Sequence, residues 1–368
     1  MAKVIIPTII NLPNYSNSHH LADGHYQNED GEPKIASEAL QTSGFFKSFQ
    51  KFAKFFASKS DITEPIPVRK ISESTGEFNH DNDNPENPSI KAWWIGHATV
   101  LIEINSNYII IDPQLSDYAS PVRGFIKRVT PPALTVEELP PISIILYSHD
   151  HYDHLSYETL VQLKEKFPNV SIFAPVGIDA MINKWDKKFN AFGFDWRTTT
   201  TISLPNSEDQ INITCFPARH YTRRSVSDTN QRLWCSWLIQ YKDCSIYHPG
   251  DSAIGPHFSE IRNFVGKPID IAFMPIGPQN PPEVMRPVHM NPEDVKNMSD
   301  ILEAKSVVPI HYGCFALGQQ VDTPDLVVLK RLWEGDNLYP IKVGGRIENI
   351  NGRFIVPENC ISEMMMPD

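Results

Sequence analysis

Ile142-Ser-Ile-Ile-Leu-Tyr-Ser-His-Asp-His-Tyr-Asp-His-Leu155 is the informative stretch of this chain. It opens as an apolar run, Ile142 to Tyr147, of the length and β-branched character of a buried strand. It closes as H-x-H-x-D-H, with His149, His151, Asp153 and His154 inside six residues. Neutral imidazole and carboxylate are ligands that borderline divalent ions such as zinc favour. A strand that ends in a His/Asp turn presents those ligands at the mouth of a sheet. Leu155 to Phe167 reads as the helix that follows. The zinc helix H-E-x-x-H is absent from the chain, so a protease of that type is not indicated.

Four clustered ligands do not fill two metal shells, and three more candidates stand after other apolar runs. His220 follows Ile211 to Phe216, Asp251 follows Ser245 to Tyr247, and His311 follows Val307 to Ile310. Each alone is an ordinary polar residue at a strand end; the repeated placement makes a joint metal site the better reading. His97, after Ala92-Trp-Trp-Ile95, and Asp112, after Tyr108 to Ile111, are expected beside the site, orienting the ligands. His289 lies in a loop just before a helix and is expected to touch substrate. Asp150 and Tyr152 should point away from the metals, and His248 reads as structural. His19, His20 and His80 read as solvated.

The order of elements supports these placements. Ala92–Ile95, Thr99–Ile104 and Tyr108–Ile111 form a predicted meander, with turns at 96–98 and 105–107. Further strands are predicted at 170–173, 233–241 and 271–274, and a long proline-containing segment runs from 113 to 141. Helices are predicted at 156–167, 176–186, 257–264, 292–304 and 324–333. The helix at 292 has good start chemistry: Asn291 as cap, Pro292 first, then Glu293 and Asp294. Strands followed by helices, twice over, predict an α+β fold with two mixed sheets sandwiched between helices, an αββα arrangement.

Residues 1–90 are different. They are rich in Asn, Ser, Pro and charge, and read as an extension to a catalytic domain spanning 91–368. Within the extension, a helix over about 43–58 would put Phe45, Phe49, Phe52 and Phe56 on one narrow stripe. Lys47, Lys51 and Lys54 would lie on the opposite face. Such a helix either docks on the catalytic domain or touches a membrane surface.

Composition narrows the class. The chain has 368 residues, 41% hydrophobic and 21% charged, as expected of a soluble globular protein. A net charge of −11 argues against nucleic acid as a partner. Five cysteines, with no C-x-x-C among them, suggest free thiols in a reducing, cytoplasmic setting. No apolar run approaches the ~20 residues of a membrane span, and the first residues do not read as a signal peptide.

The H-x-H-x-D-H cluster resembles the zinc-hydrolase signature of the metallo-β-lactamase superfamily. A narrower resemblance, to the N-acylphosphatidylethanolamine-hydrolysing phospholipase D family, rests on many stretches in family order over 91–318. They include Trp94-Ile-Gly-His-Ala-Thr-Val100, Ala119-Ser-Pro121, Leu233-Trp-Cys-Ser-Trp237, Pro249-Gly-Asp251 and Ile310-His-Tyr-Gly-Cys-Phe-Ala-Leu317. A weaker match, His25-Tyr-Gln-Asn28, lies in the extension. Asp150 stands where the family often has Asn, and the loop 277–286 carries its own proline-rich sequence.

The resemblance implies a four-layer αββα metallo-β-lactamase fold with two Zn2+ per chain. His149, His151 and His220 would hold one ion, Asp153, His154 and His311 the other, and Asp251 would bridge them. It also implies a shared water of lowered pKa as nucleophile, a phospholipid substrate, a peripheral position on a membrane and a homodimer. Two other functions stay open from sequence. One is a metal-dependent lactonase acting on a small phosphorylated sugar acid, since lactonase-like relatives share this family shape. The other is a lipid-binding protein with an idle metal site.

Overall fold

The computed structural model describes residues 4–13, 18–31, 64–72, 76–78, 90–204, 209–319, 324–350 and 352–362. The helix expected at 43–58, with its phenylalanine and lysine faces, and His80 lie outside the described residues.

Two sheets form the centre. The first runs β15(Arg353–Ile355), β14(Arg346–Ile350), β2(Ile90–Gly96), β3(Thr99–Ile104), β4(Asn107–Ile111), β5(Ile142–Leu146), β6(Ser171–Pro175) and β7(Ala191–Phe194). The second runs β1(Ile10–Asn11), β8(Thr198–Ser203), β9(Gln210–Phe216), β10(Ser236–Tyr241), β11(Cys244–His248), β12(Ile271–Pro275) and β13(Val307–Ile310). β2, β3 and β4 make the expected antiparallel meander, whereas β4 to β7 run parallel. β11, β12 and β13 also run parallel. Parallel strands need crossover connections, and helices supply most of them.

Helices α1(Tyr157–Lys166) and α2(Ile178–Trp185) follow β5 and β6, and α2 packs on β6 and β7. On the second sheet, α3(His257–Val265) and α6(Asp325–Leu332) pack against α5(Pro292–Ile301) or β12 through it, and the short α4(Pro282–Met285) precedes α5. The result is the expected four-layer αββα order. Two apolar clusters show why the strands of the second sheet read as nearly continuous hydrophobic runs. Cys215, Trp237, Ile239 and Ile246 face the first sheet. Their neighbours Phe216, Leu238 and Tyr247 face Val295, Met298 and Leu302 on the helical side.

Local chemistry sets the helix starts that matter here. Ser156 caps α1 by accepting from the Thr159 N–H, with Glu158 in the first turn and Lys164 and Lys166 in the last. Asn291 caps α5 as expected, and Asp294 completes a reciprocal capping box. The threonine run of β8 and the short β7, β14 and β15 were not expected. β8 alternates in burial, and its β-branched residues suit one face against the core and one toward solvent.

Described parts of residues 1–90 are woven into both sheets. β1 pairs with β8, and the Ile5 N–H donates to Ser171 Oγ at 2.8 Å. Glu77, 5% exposed, accepts from Trp93 Nε1 at 2.9 Å and pairs with Arg69 at 2.6 Å and Arg346 at 3.0 Å. Burial alone would raise its pKa, but the hydrogen bonds from Arg69 and Trp93 and the charge of Arg346 outweigh it and hold it below the ordinary value. That stabilisation is full above the usual carboxylate range and lost as pH falls through the lowered value. Glu77→Ala strands a buried indole N–H and removes the carboxylate that Arg69 and Arg346 share, leaving them Gly344 and Glu348. It is expected to lower the unfolding free energy by about 3 kcal/mol, read from denaturant melts at neutral pH, with the gap to wild type closing on acidification.

Candidate metal centre

Six strands deliver their ends to one place. β2, β4, β5, β9, β11 and β13 are followed within a few residues by His97, Asp112, the 149–154 turn, His220, Asp251 and His311. Three of these residues take left-handed backbone: His97 at φ 52°, Asp112 at φ 44° and His311 at φ 66°. Such conformations cost of order 1–3 kcal/mol each and persist where packing and hydrogen bonds over-determine them.

The inward ring nitrogens converge. His149 Nε2 lies 2.9 Å from His151 Nδ1, which lies 3.1 Å from His220 Nε2. His154 Nε2 lies 3.2 Å from His311 Nε2. Asp251 sits between the two groups, with Oδ2 3.9 Å from His149 and 3.8 Å from His220. Its Oδ1 is 3.2 Å from His154 and 3.0 Å from His311. Asp153 Oδ2 stands 3.6 Å from both His154 and His311. The structure thus brings together every candidate ligand named from the sequence.

The outward nitrogens explain how the inward ones are prepared. His154 Nδ1 donates to Asp112 Oδ2 at 2.8 Å, His220 Nδ1 to the Val288 carbonyl at 2.9 Å, and His311 Nδ1 to the Gly277 carbonyl at 3.0 Å. Ser148 Oγ donates to Asp112 at 2.6 Å and so accepts from His149 Nδ1 at 3.0 Å. Each of these four imidazoles therefore has its outer N–H engaged and its inner nitrogen turned into the shared space, where it can give a lone pair to a cation. Where two inner lone pairs meet, as between His154 and His311 at 3.2 Å, they repel unless a proton or a metal ion lies between them.

Charge leads to the same conclusion. Asp112, Asp153 and Asp251 are buried, and among the described residues they form ion pairs only with histidines. Burial disfavours charge on His154, yet Asp251, Asp153 and Asp112 overcome it and push its pKa well above the ordinary value. His311 rises to about 9 against the same burial, through Asp251 and Asp153. Burial wins instead at His149, held well below its ordinary value, and at His220, lowered to about 3. The pocket is an electrostatic sink for cations, and Asp251 Oδ1 is buried without a hydrogen-bond partner. These residues fit a metal centre.

Other expected positions fall into place around it. His97 Nε2 donates to Asp153 Oδ2 at 2.9 Å. Asp150 faces away, paired with Arg232 at 2.6 Å and accepting from the Arg223 N–H at 3.1 Å. Tyr152 also turns outward: its hydroxyl donates to the Arg224 carbonyl. His248 is structural, bonded to the Ala98 carbonyl and accepting from the Gly250 N–H. His289 stands at the rim, Nδ1 3.6 Å from Asp251 and without a hydrogen-bond partner.

His19 is a correction, whereas its neighbour His20 is not. Both were expected to be solvated: His20 is exposed, but His19 is fully buried, and both Nε2 atoms lie 2.7 Å from Asp195. The carboxylate lies 175 residues or more away in sequence, so no local pattern shows the pairing. Sequence reading also missed Tyr221, whose ring packs on His151 and His220 at 4.6 and 5.0 Å. Its position directly after His220 was the available signal.

Such a centre at the shared strand ends of an αββα sandwich defines a hydrolase of metallo-β-lactamase type. The beta-lactamase superfamily domain matches residues 107–312. N-acyl-phosphatidylethanolamine-hydrolyzing phospholipase D 1 of Caenorhabditis elegans is 30% identical over 271 residues, 71% of this chain and 72% of that protein. The mitochondrial N-acyl-phosphatidylethanolamine-hydrolyzing phospholipase D of Saccharomyces cerevisiae is 32% identical over 61% of this chain and 47% of its own length. Among solved structures, the metallo hydrolase Igni18 of Ignicoccus hospitalis shares the fold, with a TM-score of 0.52 at 16% identity over 71% of this chain and 99% of its own. The chain belongs to the metallo-β-lactamase superfamily and, within it, to the N-acylphosphatidylethanolamine-hydrolysing phospholipase D family.

Gly250 shows how little slack the centre has. Its φ is +63°, and a Cβ there would lie 2.5 Å from Ser148 Cβ. Gly250→Ala is expected to cost at least about 2 kcal/mol of unfolding free energy, measured by thermal or denaturant unfolding, because Ser148 is held by Asp112 and has no room to retreat.

Proposed function

We propose that this protein is a zinc-dependent phosphodiesterase of phospholipase D type. Its substrate is N-acylphosphatidylethanolamine or a related glycerophospholipid. The observation that carries the reading is the joint one: an intact buried His/Asp centre in a chain 30% identical to a nematode enzyme named for this activity.

In this reading His149, His151 and His220 hold one Zn2+, and Asp153, His154 and His311 hold the second, with Asp251 shared between them. When bound, the two ions supply Lewis-acid charge for the attacked phosphoryl group and lower the pKa of a nearby water. The protein's own contribution is orientation. Asp112 and Ser148 fix His154 and His149, the Val288 and Gly277 carbonyls fix His220 and His311, and His97 steadies Asp153. His289 offers its unpaired Nδ1 at the rim as a contact for a phosphoryl oxygen.

Water adds across the phosphodiester on the headgroup side. The bond between phosphorus and the ethanolamine oxygen breaks, and the products are phosphatidic acid and an N-acylethanolamine. The sequence spacing that would set Phe45, Phe49, Phe52 and Phe56 on one face of a helix and Lys47, Lys51 and Lys54 on the other supports a peripheral attachment to a membrane carrying that lipid. No helix among the described residues is long and apolar enough to cross a membrane.

The test is hydrolysis of N-acylphosphatidylethanolamine in mixed micelles by zinc-loaded protein. Phosphatidic acid should appear, and His151→Ala and Asp251→Asn should each cut the rate by at least about 10²-fold, the scale of losing a pre-organised charge-stabilising group. Intact lipid beside fully bound zinc would reject this substrate and direct the assay to small phosphorylated lactones.

A further inference from the structure

A strap formed by residues 18–31 is wrapped over the segment that carries His220. It is a tight hairpin: the Leu21 N–H donates to the His25 carbonyl at 2.9 Å and the Gln27 N–H to the His19 carbonyl at 3.0 Å. One end is pinned by His19 and His20 on Asp195, with the His19 ring stacked on Trp196 at 4.3 Å. The other end is pinned by Glu29, which receives both terminal nitrogens of Arg197 at 2.7 Å, and by Asp30, which pairs with Arg219. Between these anchors the Tyr26 N–H donates to the Asn230 carbonyl, and the Asn230 N–H donates in turn to the Thr222 carbonyl.

Asn28 lies at the centre of the strap, 2% exposed. Its Nδ2 donates to the His220 carbonyl at 2.9 Å, and its Oδ1 accepts from the His220 N–H at 3.3 Å. One side chain thus satisfies both backbone groups of a single residue, as a neighbouring strand would. His220 lies beyond the end of β9, and no strand among the described residues pairs with it. The His220 ring itself has one outer restraint, the Val288 carbonyl. Its own backbone N–H and carbonyl are held by Asn28, while Arg219 before it is held by Ser252 and Ala253.

We infer that Asn28 is a positioning residue for the metal centre, and that the strap is an N-terminal clamp on the His149/His151/His220 side of it. The inference rests on the proposed reading of His220 as a metal ligand. It assigns the two sides of the centre unequal dependence on the strap. His154 and His311 are held by Asp112 and Gly277, and no strap residue touches either among the described contacts. Loss of Asn28 therefore weakens one ion and spares the other.

The experiment compares the Zn2+ binding isotherms of full-length, metal-free wild type, Asn28→Ala, Asn28→Asp and His220→Ala. Absorption spectra of the Co2+-loaded forms and unfolding midpoints of the metal-free forms accompany the isotherms. Asn28→Ala should bind one of two ions about 10–100-fold more weakly, the usual cost of losing an outer partner of a ligand. One of two cobalt environments should change, and the metal-free midpoint should move little. Should Asn28→Ala fail to fold, Asn28→Asp decides. It keeps the volume and the acceptor but sets an oxygen against the His220 carbonyl, and the same selective loss is expected. Wild-type affinity for both ions in the folded Asn28 variant, or equal weakening of both, overturns the clamp. Wild-type affinity in His220→Ala rejects the ligand assignment instead, so the two failures are distinguishable.

Discussion

Three buried carboxylates that have no lysine or arginine partner among the described residues set the terms for this structure. Ionised groups are rarely tolerated in such a place unless charge of the other sign is built in beside them. Among the described residues the opposite charge comes from histidines, and a bound cation would add to it. Four of the histidines have their outer nitrogen engaged by Asp112, Ser148, Val288 or Gly277, which turns the inner nitrogen toward the carboxylates. The fold therefore concentrates negative charge and lone pairs at one point, and a metal centre is the arrangement that resolves both.

The sandwich is what makes this convergence possible. Parallel segments of both sheets end on the same side, so residues from β4, β5, β11 and β13 meet without long loops. Strained backbone at His97, Asp112 and His311 lies where strands stop and ligands begin. A close fit between Gly250 and Ser148 then couples the Asp251 turn to the Asp112–Ser148–His149 network.

The ligand set was readable in the sequence because each member follows an apolar run, and burial makes strands easy to see. The αββα order was readable for the same reason, as was the Asn291 cap. What stayed hidden depends on contacts between remote segments. The His19 and His20 pairing with Asp195, the Asn28 grip on His220 and the Asp150 pairing with Arg232 each join residues tens to hundreds of positions apart. Polar pairs of this kind leave no periodicity. β7 and β8 were missed for a different reason: Ala191–Phe194 is short, and the threonines of β8 are only half committed to the core.

The central claim is that these side chains enclose two cations. Anomalous diffraction at the zinc absorption edge, from crystals of zinc-loaded protein, addresses it directly. The account predicts two peaks about 3.5–4 Å apart, as in other two-metal hydrolytic sites. One should lie among His149, His151 and His220, the other among Asp153, His154 and His311, with Asp251 touching both. A map with no peak within this cluster, or with one ion held by the histidines of both groups together, would contradict it.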